Sequence, residues 1–121
     1  ERRRDVFTMV DKQPKNKVAM QLYERLVKNF MDVIVLKELG KGNSIGAHEI
    51  RVLIYKRFHV LVSSGTIYSL LYSMERDGFI EGIIEGRKRV YRLTDKGKGT
   101  LKNISESSDK VTLLIKSILE K

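Results

Sequence analysis

Apolar positions in this chain change their spacing several times, and each change marks an element. Val18, Leu22, Leu26, Phe30, Val33, Ile34 and Leu36 recur mostly three or four residues apart. That spacing predicts helix from about Asn16 to Leu39, with Asn29 as a natural point of division. Gly40-Lys41-Gly42-Asn43 then stops the helix, because glycine accepts the backbone conformations that end one. Ser44-Ile45-Gly46 suits a very short strand. A helix over about Ala47 to Phe58 follows, with Ile50, Leu53, Ile54 and Phe58 turned inward and Glu49 near its positive N-terminus.

The next helix is the best marked. Ser63 is the expected N-cap, and Val62 before it can pack on Ile67 as a hydrophobic staple. Ile67, Leu70, Leu71 and Met74 occupy i, i+3, i+4 and i+7 and so form one buried stripe. The opposite face carries Gly65, Ser69, Tyr72 and Arg76, flanked by Thr66, Tyr68 and Ser73, before Asp77-Gly78 ends the helix. Phe79–Glu85 and Arg89–Leu93 are two β-rich runs around the turn Gly86-Arg87-Lys88, which predicts a hairpin with a cationic tip. Thr94 caps a final helical stretch toward Lys121, weakened in propensity at Gly97, Gly99 and Ser105–Ser108. Leu101, Ile104, Ser108, Val111, Ile115 and Ile118 alternate by three and four residues, a heptad-like seam. A continuous helix there would be about 40 Å long at its rise of about 1.5 Å per residue. So long a stripe exceeds what a small domain can cover and calls for a partner. Leu101, Ile104, Val111, Leu114, Ile115 and Ile118 are therefore the candidate dimerisation residues.

The expected fold is mainly α with a small β-hairpin: a winged helix-turn-helix plus a long C-terminal dimerisation helix. It divides into a basic N-terminal arm (1–16), a winged-helix DNA-binding domain (17–93) and a dimerisation helix (94–121). The arm is rich in cations, with Arg2, Arg3, Arg4, Lys12 and Lys15, and has no sustained apolar period.

Charge sharpens this picture. The 121 residues carry a formal net charge of +9, which favours a polyanion, nucleic acid before a membrane surface. The chain has no cysteine, so disulfide frameworks, thiolate zinc sites and cysteine nucleophiles are excluded. Two histidines, His48 and His59, offer too little for a metal site and are expected to be ordinary surface residues. No nucleophile–base pair or phosphate-cradling loop occurs, so no enzyme, cofactor or metal is expected. No apolar run approaches a membrane span and no secretory signal opens the chain. Glu1 in place of an initiator Met suggests processing or trimming. The expected location is the cytoplasm, in association with the nucleoid.

In a winged helix the third helix enters the major groove and the wing reaches the adjacent backbone or minor groove. The DNA-binding candidates are then Ser63, Ser64, Gly65, Thr66, Tyr68, Ser69, Tyr72, Ser73 and Arg76 on the helix, with Arg87, Lys88 and Arg89 on the wing. Gly65 lets backbone N–H groups approach a phosphate, and the hydroxyls of Ser63, Ser64 and Thr66 can donate to phosphate oxygens. Arg51, Lys56 and Arg57 are secondary phosphate candidates. The reading face has no Asn or Gln for adenine and one late arginine, so modest base readout helped by DNA shape is expected.

Three stretches resemble the PadR-like family of transcriptional regulators. They are Ser64-Gly65-Thr66-Ile67-Tyr68-Ser69-Leu70-Leu71, then Met74-Glu75-Arg76-Asp77-Gly78-Phe79-Ile80, then Tyr91-Arg92-Leu93-Thr94-Asp95-Lys96-Gly97. Ser69 stands where the family usually has proline, and Gly46-Ala47 replaces its Gly-Tyr. The resemblance implies a homodimeric winged helix, usually a repressor, whose C-terminal helix packs on the partner's N-terminal helix. It also implies Ser64, Thr66 and Tyr68 as DNA contacts and Gly65 as the close-approach glycine. Some members of the family bind aromatic or cationic compounds between subunits, but no pocket of that kind can be read from these residues, which include no tryptophan. A dimeric, sequence-selective regulator of double-stranded DNA is the leading expectation. An architectural DNA-coating protein and a winged-helix protein–protein module are the alternatives.

Overall fold

The computed structural model describes residues 14–121. The basic arm expected over 1–16 lies mostly outside the described residues, and its last member has another task. Asn16 is the N-cap of α1 (Lys17–Asn29), its side chain accepting from the N–H groups of Val18 (2.9 Å) and Ala19 (3.2 Å). The expected division at Asn29 is present. Phe30 leaves helical geometry at ψ 17°, and α2 (Met31–Leu39) restarts immediately after it.

After β1 (Ile45–Gly46) come α3 (Ala47–Phe58), α4 (Ser64–Arg76), β2 (Ile80–Glu85) and β3 (Lys88–Leu93). His59 ends α3 in the left-handed region at φ 55°. The hairpin belongs to a three-stranded antiparallel sheet of order β1-β3-β2, with β3 central, in which Ile45 pairs with Tyr91 and Gly46 with Val90. On the other side of β3 the register runs from Ile80 opposite Leu93 to Glu85 opposite Lys88. The turn is therefore only Gly86-Arg87, tighter than the three residues expected, and Lys88 belongs to the strand. Gly86 takes φ 66°, the positive value a two-residue hairpin turn needs at its first position.

The core forms where α2, α3, α4 and the sheet meet. Ile54 and Leu71 are fully shielded, and Val35, Ile50, Ile67 and Ile80 nearly so. Ile50, Ile54, Ile67 and Leu71 are positions the apolar periodicity selects. The N-terminal stripe is shifted from the expected one: Val18 and Phe30 are exposed, and Val27, Met31 and Val35 are buried instead.

The C-terminal stretch departs from the expectation of one long helix. It is two helices, α5 (Asp95–Glu106) and α6 (Ser108–Leu119), parted at Ser107, whose ψ of 0° breaks the helical run. Ser107 N–H donates to the Asn103 and Ile104 carbonyls, and its own carbonyl accepts from Val111. The cause is local: Ser105, Ser107 and Ser108 compete for backbone hydrogen bonds and hold a helix poorly. The break separates two kinds of apolar residue. Leu101 and Ile104 on α5 pack against this chain's own core. On α6, Val111, Leu114 and Ile118 are exposed and Ile115 is half-buried.

Candidate nucleic-acid interface

Helix α4 presents its polar side outward because Ile67, Leu71 and Met74 hold the other side in the core. Ser63 caps it, accepting from Thr66 N–H at 3.1 Å, and the two hydroxyls also share a 2.8 Å hydrogen bond. Ser63, Ser64, Gly65, Thr66 and Ser69 are all exposed, as are Tyr68 (59 %) and Tyr72 (68 %). Ser73 is half-buried. Large exposed tyrosines beside the short hydroxyl side chains of this face leave an apolar, hydrogen-bonding surface that the fold itself does not use. No packing within the chain requires glycine at 65. A Cβ there would come no nearer than 4.0 Å to Ser63 Oγ, so the helix N-terminus is left bare toward solvent.

The basic residues are less free than their sequence positions imply. Arg76 pairs with Asp77 at 3.3 Å. Arg89 Nη2 lies 2.9 Å from both carboxylate oxygens of Glu75, and Lys88 pairs with Glu49. Arg51 donates from Nε to the Val62 carbonyl at 2.8 Å, tying α3 to the turn before α4. Arg57 lies 5.6 Å from the centre of the Phe58 ring, while Lys56 is exposed. Arg87 sits at the tip of the turn, exposed and with no ion pair among the described residues. The expected three-cation tip is thus one outward arginine above two anchored cations.

The anchors are two carboxylates, Glu75, to which sequence reasoning gave no site role, and Glu49, which it placed only at a helix N-terminus. Glu75 also accepts the Gly82 N–H at 2.9 Å, and Glu49 the Gly46 N–H at 2.8 Å. The Gly82 N–H and then the Arg89 guanidinium hold the Glu75 carboxyl below the usual carboxylate range, and Glu75 in turn raises the Arg89 guanidinium. The available signal was the spacing from Glu75 to the hairpin glycine, which has meaning only once the hairpin register is known.

Among the described residues no group of His, Asp or Glu gathers as a metal-ion site, and no helix is long and apolar enough to cross a membrane. A shallow groove runs between Phe30 and Val33 on one side and Ile104, Val111 and Ile115 on the other.

Helices α3 and α4 with the turn between them, followed by a β2–β3 wing, define a winged-helix DNA-binding protein. Residues 35–103, more than half of the chain, match the model of the transcriptional regulator PadR-like family, and the chain belongs to that family. It is accordingly a transcriptional regulator and not an enzyme. Its structure is similar to that of a PadR-like transcriptional regulator from Bacillus cereus (25% identity, TM-score 0.69, covering 80% of this chain and 98% of that one). It is also similar to TA0346 from Thermoplasma acidophilum, at 26% identity and TM-score 0.65, over 78% of this chain and 93% of that one. F93 from STIV, a winged-helix DNA-binding protein, shares the fold at 24% identity and TM-score 0.53, over 76% of this chain and 90% of that one. No curated protein sequence matches this chain.

Proposed function

We propose that the protein is a homodimeric, sequence-selective repressor that binds a pseudo-palindromic operator on double-stranded DNA. It would act in the cytoplasm at the nucleoid. Helix α4 enters the major groove through Ser64, Gly65, Thr66, Tyr68, Ser69 and Tyr72, with Ser63 at its rim, and Arg87 reaches the flanking backbone. Ser73 and Arg76 serve at the edge of this surface. The observation that carries the reading is the pairing of a bare Gly65 with two exposed tyrosines on the outward face of α4.

Dimerisation is assigned to α6. Its Val111, Leu114 and Ile118 are exposed and lie beyond the Ser107 break, so the domain's own core does not take them up. The groove flanked by Phe30 and Val33 would receive the second subunit's helix. A two-fold dimer would set its recognition helices about 34 Å apart, one turn of DNA. No effector is assigned.

The test is a footprint on the DNA upstream of the protein's own gene, at low and near-physiological salt, with sedimentation to give the oligomeric state. A discrete, two-fold-symmetric protected patch bound by a dimer supports the reading. Unbroken coating that vanishes with salt would favour an architectural role. Absence of protection at either salt, with a monomer in solution, would reject both the operator and the dimer.

A further inference from the structure

The wing's basic residues are divided between two tasks, and this deepens the DNA-binding reading on which it rests. Strand β1 supports β3 only at Val90 and Tyr91. Beyond them, the pairs Ile84–Arg89 and Glu85–Lys88 form a bare two-stranded ribbon. Such a ribbon twists easily and is marginal by itself. At that point two consecutive β3 residues, on opposite faces of the strand, are tied to two different helices. Lys88 reaches Glu49 on α3, and Arg89 reaches Glu75 on α4. Each carboxylate also accepts a strand glycine N–H, from Gly46 and Gly82 respectively.

The Arg89 guanidinium lies directly across Gly82: a Cβ there would meet its Nη2 at 2.6 Å and its Nε and Cζ at 2.7 Å. The Tyr91 ring centre is 5.7 Å from Arg89 Cζ. Gly82 therefore makes room for the clamp, and Tyr91, itself buried, backs it. Half-exposed ion pairs add little to fold stability, so stability alone does not account for this arrangement.

We propose that Glu75, through Arg89 and the Gly82 backbone, is a positioning residue that sets the angle between the wing and the recognition helix. Arg87 is then already placed for DNA when α4 enters the groove. Arg89 on this view is an anchor and makes no phosphate contact. Preorganisation of this kind strengthens binding by removing an ordering cost at the moment of association.

The sign of the effect makes the proposal testable. Loss of a negative charge from a helix that faces a polyanion strengthens binding by electrostatics alone, whereas loss of the clamp weakens it. Glu75→Gln, Arg89→Gln, the double variant, Arg87→Ala and Tyr68→Ala would be titrated against operator DNA across a salt series, with melting as the folding control. Glu75→Gln is expected to weaken binding about tenfold, with Arg89→Gln similar and the double variant no worse than either, as for two residues acting as a unit. Neither single variant should change the salt slope, while Arg87→Ala should reduce its magnitude by about one. Unchanged or tighter binding by Glu75→Gln, or a reduced slope in Arg89→Gln, would overturn the clamp. If Tyr68→Ala and Arg87→Ala both bind like the parent, the underlying DNA-face assignment fails instead.

Discussion

The Phe79 carbonyl oxygen occupies the space that a side chain at Gly97 would need: a Cβ there would stand 2.1 Å from it. This contact docks the first turn of α5 onto the base of the wing. Thr94 reinforces it, donating from Oγ1 to the Gly78 carbonyl (2.5 Å), while its N–H donates to the Phe79 carbonyl (3.2 Å). Lys96 Nζ donates to the Asp77 carbonyl at 2.7 Å and lies 4.7 Å from the centre of the Phe79 ring. The turn that ends α4 and the turn that starts α5 are thereby one assembly.

Two glycines in α5 should respond oppositely to alanine. Gly97→Ala forces a methyl onto the Phe79 backbone and should destabilise the fold by about 1–3 kcal/mol or more, the usual range for overpacking. Gly99 has open space around it. Gly99→Ala should stabilise by about 0.5–1 kcal/mol, because alanine loses less backbone entropy in a helix. Urea unfolding of the two variants checks both signs, and a Gly97→Ala protein as stable as the parent would refute the close contact.

These two residues also mark what the sequence conveys. Periodicity located α1 to α4 and the hairpin, because burial on one face leaves a regular trace. It placed α3 at its observed bounds and found the caps at Ser63 and Thr94 by their residue types, while Asn16 read only as the start of a helical stretch. Gly97 and Gly99 look alike in sequence, both as weak points of a helix, and only the tertiary contact with Phe79 distinguishes them. The same limit applies to the wing. Arg87, Lys88 and Arg89 read as one basic cluster, yet strand alternation sends Lys88 and Arg89 to opposite faces and within reach of different carboxylates. The heptad-like seam over 101–118 also read as continuous, since apolar spacing carries no information about the single residue, Ser107, at which the helix breaks.

The Glu75 carboxyl should titrate below the ordinary carboxylate range, because the Gly82 N–H and Arg89 both favour its charged form. In Arg89→Met it should rise only part of the way back, since the Gly82 hydrogen bond, the largest single cause, remains. The sign for stability follows from linkage. A depressed folded value gives a contribution present above the unfolded carboxyl's range and lost as pH falls through the folded value. Carboxyl carbon NMR of Glu75 in both proteins measures this directly. A full return to the ordinary value in Arg89→Met would show that the guanidinium, and not the backbone, dominates.

Dimer loss should separate from domain stability at the Ser107 break. Leu114→Lys with Ile118→Lys places charge on exposed α6 positions and should yield a folded monomer by sedimentation, with its two-fold footprint lost. Ile104→Ala on α5 acts on a side chain packed against the core and should lower unfolding stability by about 2 kcal/mol, toward the low end for such truncations because the site is only partly buried. A lysine variant that still sediments as a dimer would move the interface off α6.

Gly65→Ala should trade function for stability. A methyl at 65 meets open space, with Ser63 Oγ no closer than 4.0 Å. The fold should therefore gain a few tenths to about 1 kcal/mol from the lower entropy of the unfolded chain. The same methyl stands between the exposed N-terminus of α4 and any phosphate drawn to it, where N–H groups and the helix dipole act only at short range. Operator affinity should then fall about tenfold, a loss of roughly 1.4 kcal/mol, just under the usual range of about 1.5–3 kcal/mol for a hydrogen bond to a charged group. Melting curves and fluorescence anisotropy on one preparation give both numbers. A variant that melts higher yet binds DNA unchanged would show that glycine at 65 serves no close approach, and the phosphate contact would have to be sought at Ser64 and Thr66.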